Sequence, residues 1–381
     1  MLKKINKILK LINSSNFLYS VPKKRIVFFD CEGFKKYKNS YNFLLKHNDY
    51  FILKTRLLNI DKIYLNINII FNLIIYYLKI KNFKAAYLVS LLLEINPKIV
   101  ITNIDNSIDF SLVAKQLHKK IKFLAVQNAA RYEFDEPFYD KNQNKKYFIP
   151  ELACFGNYEK DLYQKHKIQV NKFFTLGSLQ LSNYLENKKI EPKEEFDICL
   201  ILEESTGWDS LYEGFEDALG LIATYTERFA KKNNLKLVLA GKRSTPDLIE
   251  KENQFYRKYF QYNWKIESRE KFSSYHYASS SKVVVGMMST LLREILSIKQ
   301  KILSCNFTGC EAWDFPINGI CFLKNKKYEF FEERMKKILA LDFDMYKKNL
   351  DKDPSYLMIT NTSQLPTLKL ANRIKEITKS R

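Results

Sequence analysis

PKIVITNIDNSIDFSLVAKQLHKKIKFLAVQNAARYE, residues Pro97–Glu133, reads as strand, helix, strand. Lys98–Asn103 and Lys122–Gln127 are short apolar runs without the in-and-out alternation of a half-exposed sheet, so both faces of each strand are covered. Ser107–Lys119 between them is helix-like. Buried strands joined through a helix lie parallel, because the helix carries the chain back to the edge where it began.

The alternation extends outward from this unit. Arg25–Asp30 (RIVFFD) and Tyr50–Lys54 precede it as strands, and Leu152–Phe155 and Phe173–Leu176 follow. Ile60–Ile80, Phe83–Ile95 and Tyr158–Lys167 fill the intervals as helices. At ENKKIEPKEE the pattern breaks into charge and proline, the composition of a linker. It then restarts with strands Asp197–Leu202, Lys236–Ala240, Lys282–Met287 and Lys301–Cys305. Helices Leu211–Lys232, Pro246–Phe260, Glu270–Ala278 and Thr290–Lys299 alternate with them, and Lys327–Leu341 and Leu365–Thr378 close the series. The expected architecture is α/β: two Rossmann-like lobes facing a central cleft, over 1–184 and 196–360, with a linker at 185–195 and a closing helix in 361–381.

Composition narrows the function. The chain has 381 residues, 46% of them hydrophobic, which suits two packed cores. A net charge of +21 favours polyanionic partners: nucleic acid, an anionic membrane or phosphorylated small molecules. The lysines are spread along the chain and no nucleic-acid-binding motif accompanies them, so no nucleic-acid partner is expected. Six cysteines (Cys31, Cys154, Cys199, Cys305, Cys310, Cys321) form no CxxC pair, and with only four histidines no metal site is expected. Thiols in apolar runs suit a reducing, cytoplasmic compartment. Ile63–Ile80 is apolar but interrupted by Asn66, Asn68 and Asn72, which predicts a buried helix rather than a membrane span. In residues 1–12, Leu2, Ile5, Ile8, Leu9 and Ile12 oppose Lys3, Lys4, Lys7 and Lys10; such a helix either lies on an anionic membrane surface or packs on its own domain.

Ligands of such lobes bind beyond the carboxyl ends of the strands. Asp30 and Glu32 stand at the tip of the first strand, either dividing acid and base work or serving as turn residues. Asp105, beside Asn106, is placed to act as base or nucleophile, or to cap the helix after it. Gln127, Asn128 and Arg131 form a polar rim. In the second half, Ser289 and Thr290 at a helix start and Lys242 and Arg243 on a loop suit a phosphate; plain capping and a solvated loop are the alternatives. Glu294, one turn along, suits ribose hydroxyls, and His276 suits a nucleotide base or solvent.

The Pro97–Glu133 segment resembles the run reading roughly "vvTfiDN…iQNG.R" in bacterial surface-carbohydrate glycosyltransferases. ACFGNYEKDLY, FFTLGSLQLSNY and SSYHYASSSKVVVGMMSTLLREILSIKQKILSC continue the resemblance in order, over residues 96–325. It implies a GT-B fold with an acceptor-binding first lobe and a donor-binding second lobe, in an enzyme that builds capsule or lipopolysaccharide, similar to transferases of Kdo and other 2-keto sugar acids. By that resemblance Asp105 is the catalytic carboxylate; Asn106, Gln127, Asn128 and Arg131 line the cleft; and Ser289, Thr290 and Glu294 hold the donor. Ala129 stands where the family has glycine, and Gly241-Lys242-Arg243 where many relatives have His-Pro. The implied partners are a nucleotide sugar, CMP-linked in the Kdo branch, and a lipid-linked or oligosaccharide acceptor at the inner membrane face, with neither cofactor nor metal. Two rivals remain: a teichoic-acid-type polyol-phosphate transferase, expected to use a histidine where this chain has Asn128, and a non-enzymatic polyanion-binding protein.

Overall fold

The computed structural model describes residues 16–45, 49–56, 60–133, 138, 147–187, 194–203, 214–241, 245–262, 270, 272–360 and 364–379. Two parallel sheets with helices packed against them form two Rossmann-like lobes. The first sheet has the spatial order Tyr50–Ile52, Ile26–Phe28, Ile99–Thr102, Lys122–Val126, Phe148–Cys154, Gln169–Thr175. The second runs Leu237–Ala240, Phe196–Ile201, Ser281–Gly286, Ile302–Cys305, Phe322–Leu323. In each lobe the first strand lies between the second and the third, so the winding direction reverses there. The crevice outside that reversal is where such sheets bind ligands.

The Pro97–Glu133 unit shows why the sheets are parallel. Ile99 pairs with Lys122 and Thr102 with Ala125 in parallel register, while helix Ile108–Leu117 buries Phe110, Val113, Ala114 and Leu117 against them. Strand Phe148–Cys154 starts earlier than expected and runs through Pro150. Its pairing with Lys122–Val126 begins only at Leu152, so the proline sits where the strand has a neighbour on one side only.

The last helix, Pro366–Lys379, returns to the first lobe. Leu370 and Ile374 join a cluster with Ile26, Phe28 and Leu179. Arg373 donates to both carboxylate oxygens of Glu151, at 2.6 and 2.7 Å. Gly177 takes a left-handed φ of +87°, and a Cβ there would meet the Ile359 carbonyl at 2.3 Å, so the return path needs glycine at that point.

The buried helix expected over Ile63–Ile80 is corrected. Lys62–Tyr64 is a strand pairing with Asn16–Leu18, and the helix spans Ile67–Ile80. Asn66 does not interrupt it: its side chain accepts the Ile69 N–H at 2.9 Å and caps the start. Only Ile69 of this helix is buried. Among the described residues no helix is long and apolar enough to cross a membrane. Residues 1–12 and part of the 185–195 linker lie outside the described residues.

Candidate active site

Asp105 and Arg131 meet beyond the carboxyl ends of adjacent strands Ile99–Thr102 and Lys122–Val126, beside the reversal point of the first lobe. Asp105 is 1% exposed and Arg131 5%. Arg131 Nε donates to Asp105 Oδ2 at 2.8 Å while its Nη2 donates to Oδ1, a two-armed pair. The Asn128 N–H adds a bond to Oδ1 at 3.3 Å, and Arg131 Nη2 reaches Asn128 Oδ1 at 2.9 Å. Asp105 does not cap the following helix; Ser107 does, accepting the Phe110 N–H at 3.3 Å. Asn106 lies next to it, half-buried. The Tyr37 hydroxyl donates to the Asn128 carbonyl at 2.8 Å, and burial, with Glu294 and Asp105 nearby, pushes its pKa well up.

Gln127 is a brace. Its amide donates to the Ala129 carbonyl and to Glu159, both at 2.9 Å, and its oxygen accepts the Phe155 N–H at 2.8 Å. Asp30 and Glu32 are engaged structurally as well. Asp30 caps helix Cys31–Tyr37 through the Glu32 N–H at 2.9 Å and accepts from Thr55 at 3.1 Å, while Glu32 pairs with Arg56. Both carboxylates therefore have structural partners, and Asp30 is buried.

In the second lobe, Ser289 caps helix Thr290–Ser297, accepting the Leu291 N–H at 3.3 Å. Of the backbone N–H groups expected to meet a phosphate, that of Ser289 is already bonded. Glu203, at the end of strand Phe196–Ile201 and 5% exposed, accepts from Met287 and Met288 at 2.9 Å and from Ser289 at 3.2 Å. The chain places its own carboxylate where the reversal of the second sheet and the helix start favour an anion. A Cβ at Gly286 would come within 2.7 Å of that carboxylate, which accounts for glycine at the strand end.

Glu294 is 3% exposed and accepts from the Ser178 hydroxyl and, at 2.9 Å, from the Tyr275 hydroxyl. Burial raises its carboxyl pKa, against the lowering pull of those two bonds and of Lys36. A cavity of about 260 Å³ opens beside Tyr275, with Lys36 and Asn39 of the first lobe on one side and Ser273 and Ser274 of the second on the other. His276 does not enter it. It is exposed, 4.0 Å from Glu195. Lys242 and Arg243 lie outside the described residues.

The lobes are tied beside this site. Thr290 accepts the Ala130 N–H at 2.9 Å, and the Tyr132 hydroxyl donates to the Met288 carbonyl at 3.0 Å. Arg293 donates to Glu159 at 3.1 Å and to the Arg131 carbonyl at 2.8 Å, its guanidinium packed over the rings of Tyr132 and Tyr158. None of Glu203, Glu159, Arg293 and Tyr275 is among the site residues expected from the sequence. Two adjacent charges inside the apolar run LLREIL were a signal for Arg293: they mark a helix whose charged residues need buried partners.

The model of the family described as "putative O-antigen biosynthesis protein" matches residues 124–315, half of the chain. No protein of curated function matches in sequence. Among solved structures, the UDP-GlcNAc 2-epimerase from Neisseria meningitidis bound to UDP-GlcNAc is similar at TM-score 0.50 and 14% identity, over 92% of this chain and 99% of that one. A Staphylococcus aureus MnaA–UDP co-structure is similar at TM-score 0.54 and 14% identity, over 94% and 97%. At such identities the likeness is one of fold, and that fold is the two-lobed GT-B arrangement.

Proposed function

This chain belongs to that family of O-antigen biosynthesis proteins, and we propose that it is a glycosyltransferase moving a sugar from a nucleotide-sugar donor to a growing surface glycan. The observation that carries the reading is the placement of Asp105, clamped by Arg131 and Asn128 beside the reversal point of the first lobe. A carboxylate offers about four acceptor sites. Arg131 and Asn128 occupy three, which leaves one on Oδ2 for the proton of an acceptor hydroxyl as it attacks the sugar.

The donor is assigned to the part of the cleft where Glu294 and Tyr275 of the second lobe lie opposite Lys36 of the first. Ribose hydroxyls would replace those of Ser178 and Tyr275 on Glu294. Lys36, Lys242 and Arg243 would meet the charge on the leaving phosphate without a metal. UDP-GlcNAc and UDP, bound in the two fold relatives, make uridine nucleotides the first to test, and CMP, carrier of Kdo-type acids, the second. A lipid-linked acceptor and a place at the inner membrane face belong to the same proposal.

The test is a thermal-shift titration with UDP, CMP, CDP, GDP and single-stranded DNA at low and high salt. One nucleotide is expected to stabilise the protein, by about 2.7 kcal/mol at a hundredfold excess over its Kd. Asp105→Asn should keep that response and lose transfer by about 100-fold or more. Salt-sensitive stabilisation by DNA alone would replace the transferase reading with that of a polyanion-binding protein.

A further inference from the structure

Helix Ile67–Ile80 carries two apolar stripes where a packed surface helix needs one. Ile69 is buried, and Tyr76 and Ile80 pack on the core of the first lobe. On the other side Ile67, Ile70, Phe71, Ile74, Tyr77 and Leu78 recur at helical spacing and are all exposed, Ile67 at 77% and Phe71 at 63%. Phe83, 64% exposed at the start of the next helix, extends the patch, its ring 6.4 Å from that of Tyr77. Among the described residues nothing covers this second stripe, and contiguous apolar surface of that kind marks a docking face.

The surrounding charge selects the occupant. From Lys62 to Leu93 the chain carries four lysines and neither aspartate nor glutamate. Lys62, Lys79 and Lys81 are exposed, and Lys84 pairs with Asp109. Apolar side chains flanked by lysines match the boundary of an anionic bilayer, where acyl chains take the stripe and headgroup phosphates meet the lysines. Two other occupants match it less well. The segment 1–15 brings Lys3, Lys4, Lys7 and Lys10 to an already positive rim, and a second copy of the chain brings a further +21. At 14 residues the helix is about 21 Å long, short of a hydrocarbon core of about 30 Å, so it would lie along the surface.

We propose that the exposed face of helix Ile67–Ile80, with Phe83, docks the first lobe on an anionic phospholipid bilayer. The inference stands on this surface alone and does not depend on the transferase reading.

Flotation of the full chain with phosphatidylglycerol-containing vesicles, against phosphatidylcholine vesicles, tests it. Wild type is expected to float with the anionic vesicles and far less with the neutral ones. The double variant Phe71→Glu, Ile74→Glu should bind about tenfold more weakly or worse, with an unchanged melting temperature because both side chains are exposed. Equal binding by wild type and double variant overturns the proposal. So does complete loss of binding on removing residues 1–15 alone, which would assign the membrane contact to that segment. A wild-type dimer that the double variant splits into monomers, with no vesicle binding by either, would make the stripe a self-interface and equally overturn it.

Discussion

Arg293 of the second lobe donates to Glu159 of the first at 3.1 Å, and neither side chain is exposed. Gln127 and the Gly156 N–H complete the shell around the carboxylate. Burial raises the Glu159 pKa, and the Arg293 charge opposes that rise. Desolvating two charges costs several kcal/mol per ion, so such a pair adds little over an apolar contact; what it enforces is that both partners be present.

Glu159→Gln strands the Arg293 charge in the interior and should destabilise the protein by about 3–5 kcal/mol in urea unfolding. Replacing both residues together, as Glu159→Leu with Arg293→Met, should recover a large part of that loss. A double variant as unstable as the single one would show that the pair supports the lobe contact by some route other than charge.

Glu294 gives a pH signature. Its carboxyl is raised above the ordinary value of 4.5 by burial. A group raised in the folded state contributes stability that is complete below the unfolded pKa and is lost as pH rises through the folded one. Glu294→Gln has no such dependence. The melting temperature of Glu294→Gln minus that of wild type should therefore grow as pH rises upward from 4.5. A flat difference would mean that the bonds from Ser178 and Tyr275 cancel the effect of burial.

Glu203→Ala uncovers three N–H groups at the head of helix Thr290–Ser297. The variant should be less stable by about 1–3 kcal/mol in buffer free of multivalent anions. Inorganic phosphate should restore it more than it stabilises wild type, as read by melting temperature. An equal response of both proteins would show that the vacated place does not accept an anion.

Much of this fold is legible in the sequence, because unbroken apolar runs such as KIVIT and KFLAV have few ways to be covered. Asn66 misleads for a local reason: an asparagine inside an apolar run can be the cap of the helix that follows it. The site divides along a similar line. Asp105, Asn128 and Arg131 stand close in the chain, at the ends of two adjacent strands, and the sequence places them together. Glu203 reaches Met287, and Glu159 reaches Arg293, across 84 and 134 residues. The first depends on which strands lie side by side in the second sheet and the second on how the two lobes abut, and no local periodicity encodes either.

The bonds between Arg373 and Glu151 span 222 residues, and this sets an order of assembly. On the ribosome the second lobe can emerge with its whole sheet before helix Pro366–Lys379 exists. During that interval the first lobe, although made earlier, presents the surface that Leu370 and Ile374 will cover. Contacts so distant in sequence close slowly, and apolar surface left open meanwhile invites aggregation. The half of the molecule that is synthesised first is the half that is completed last.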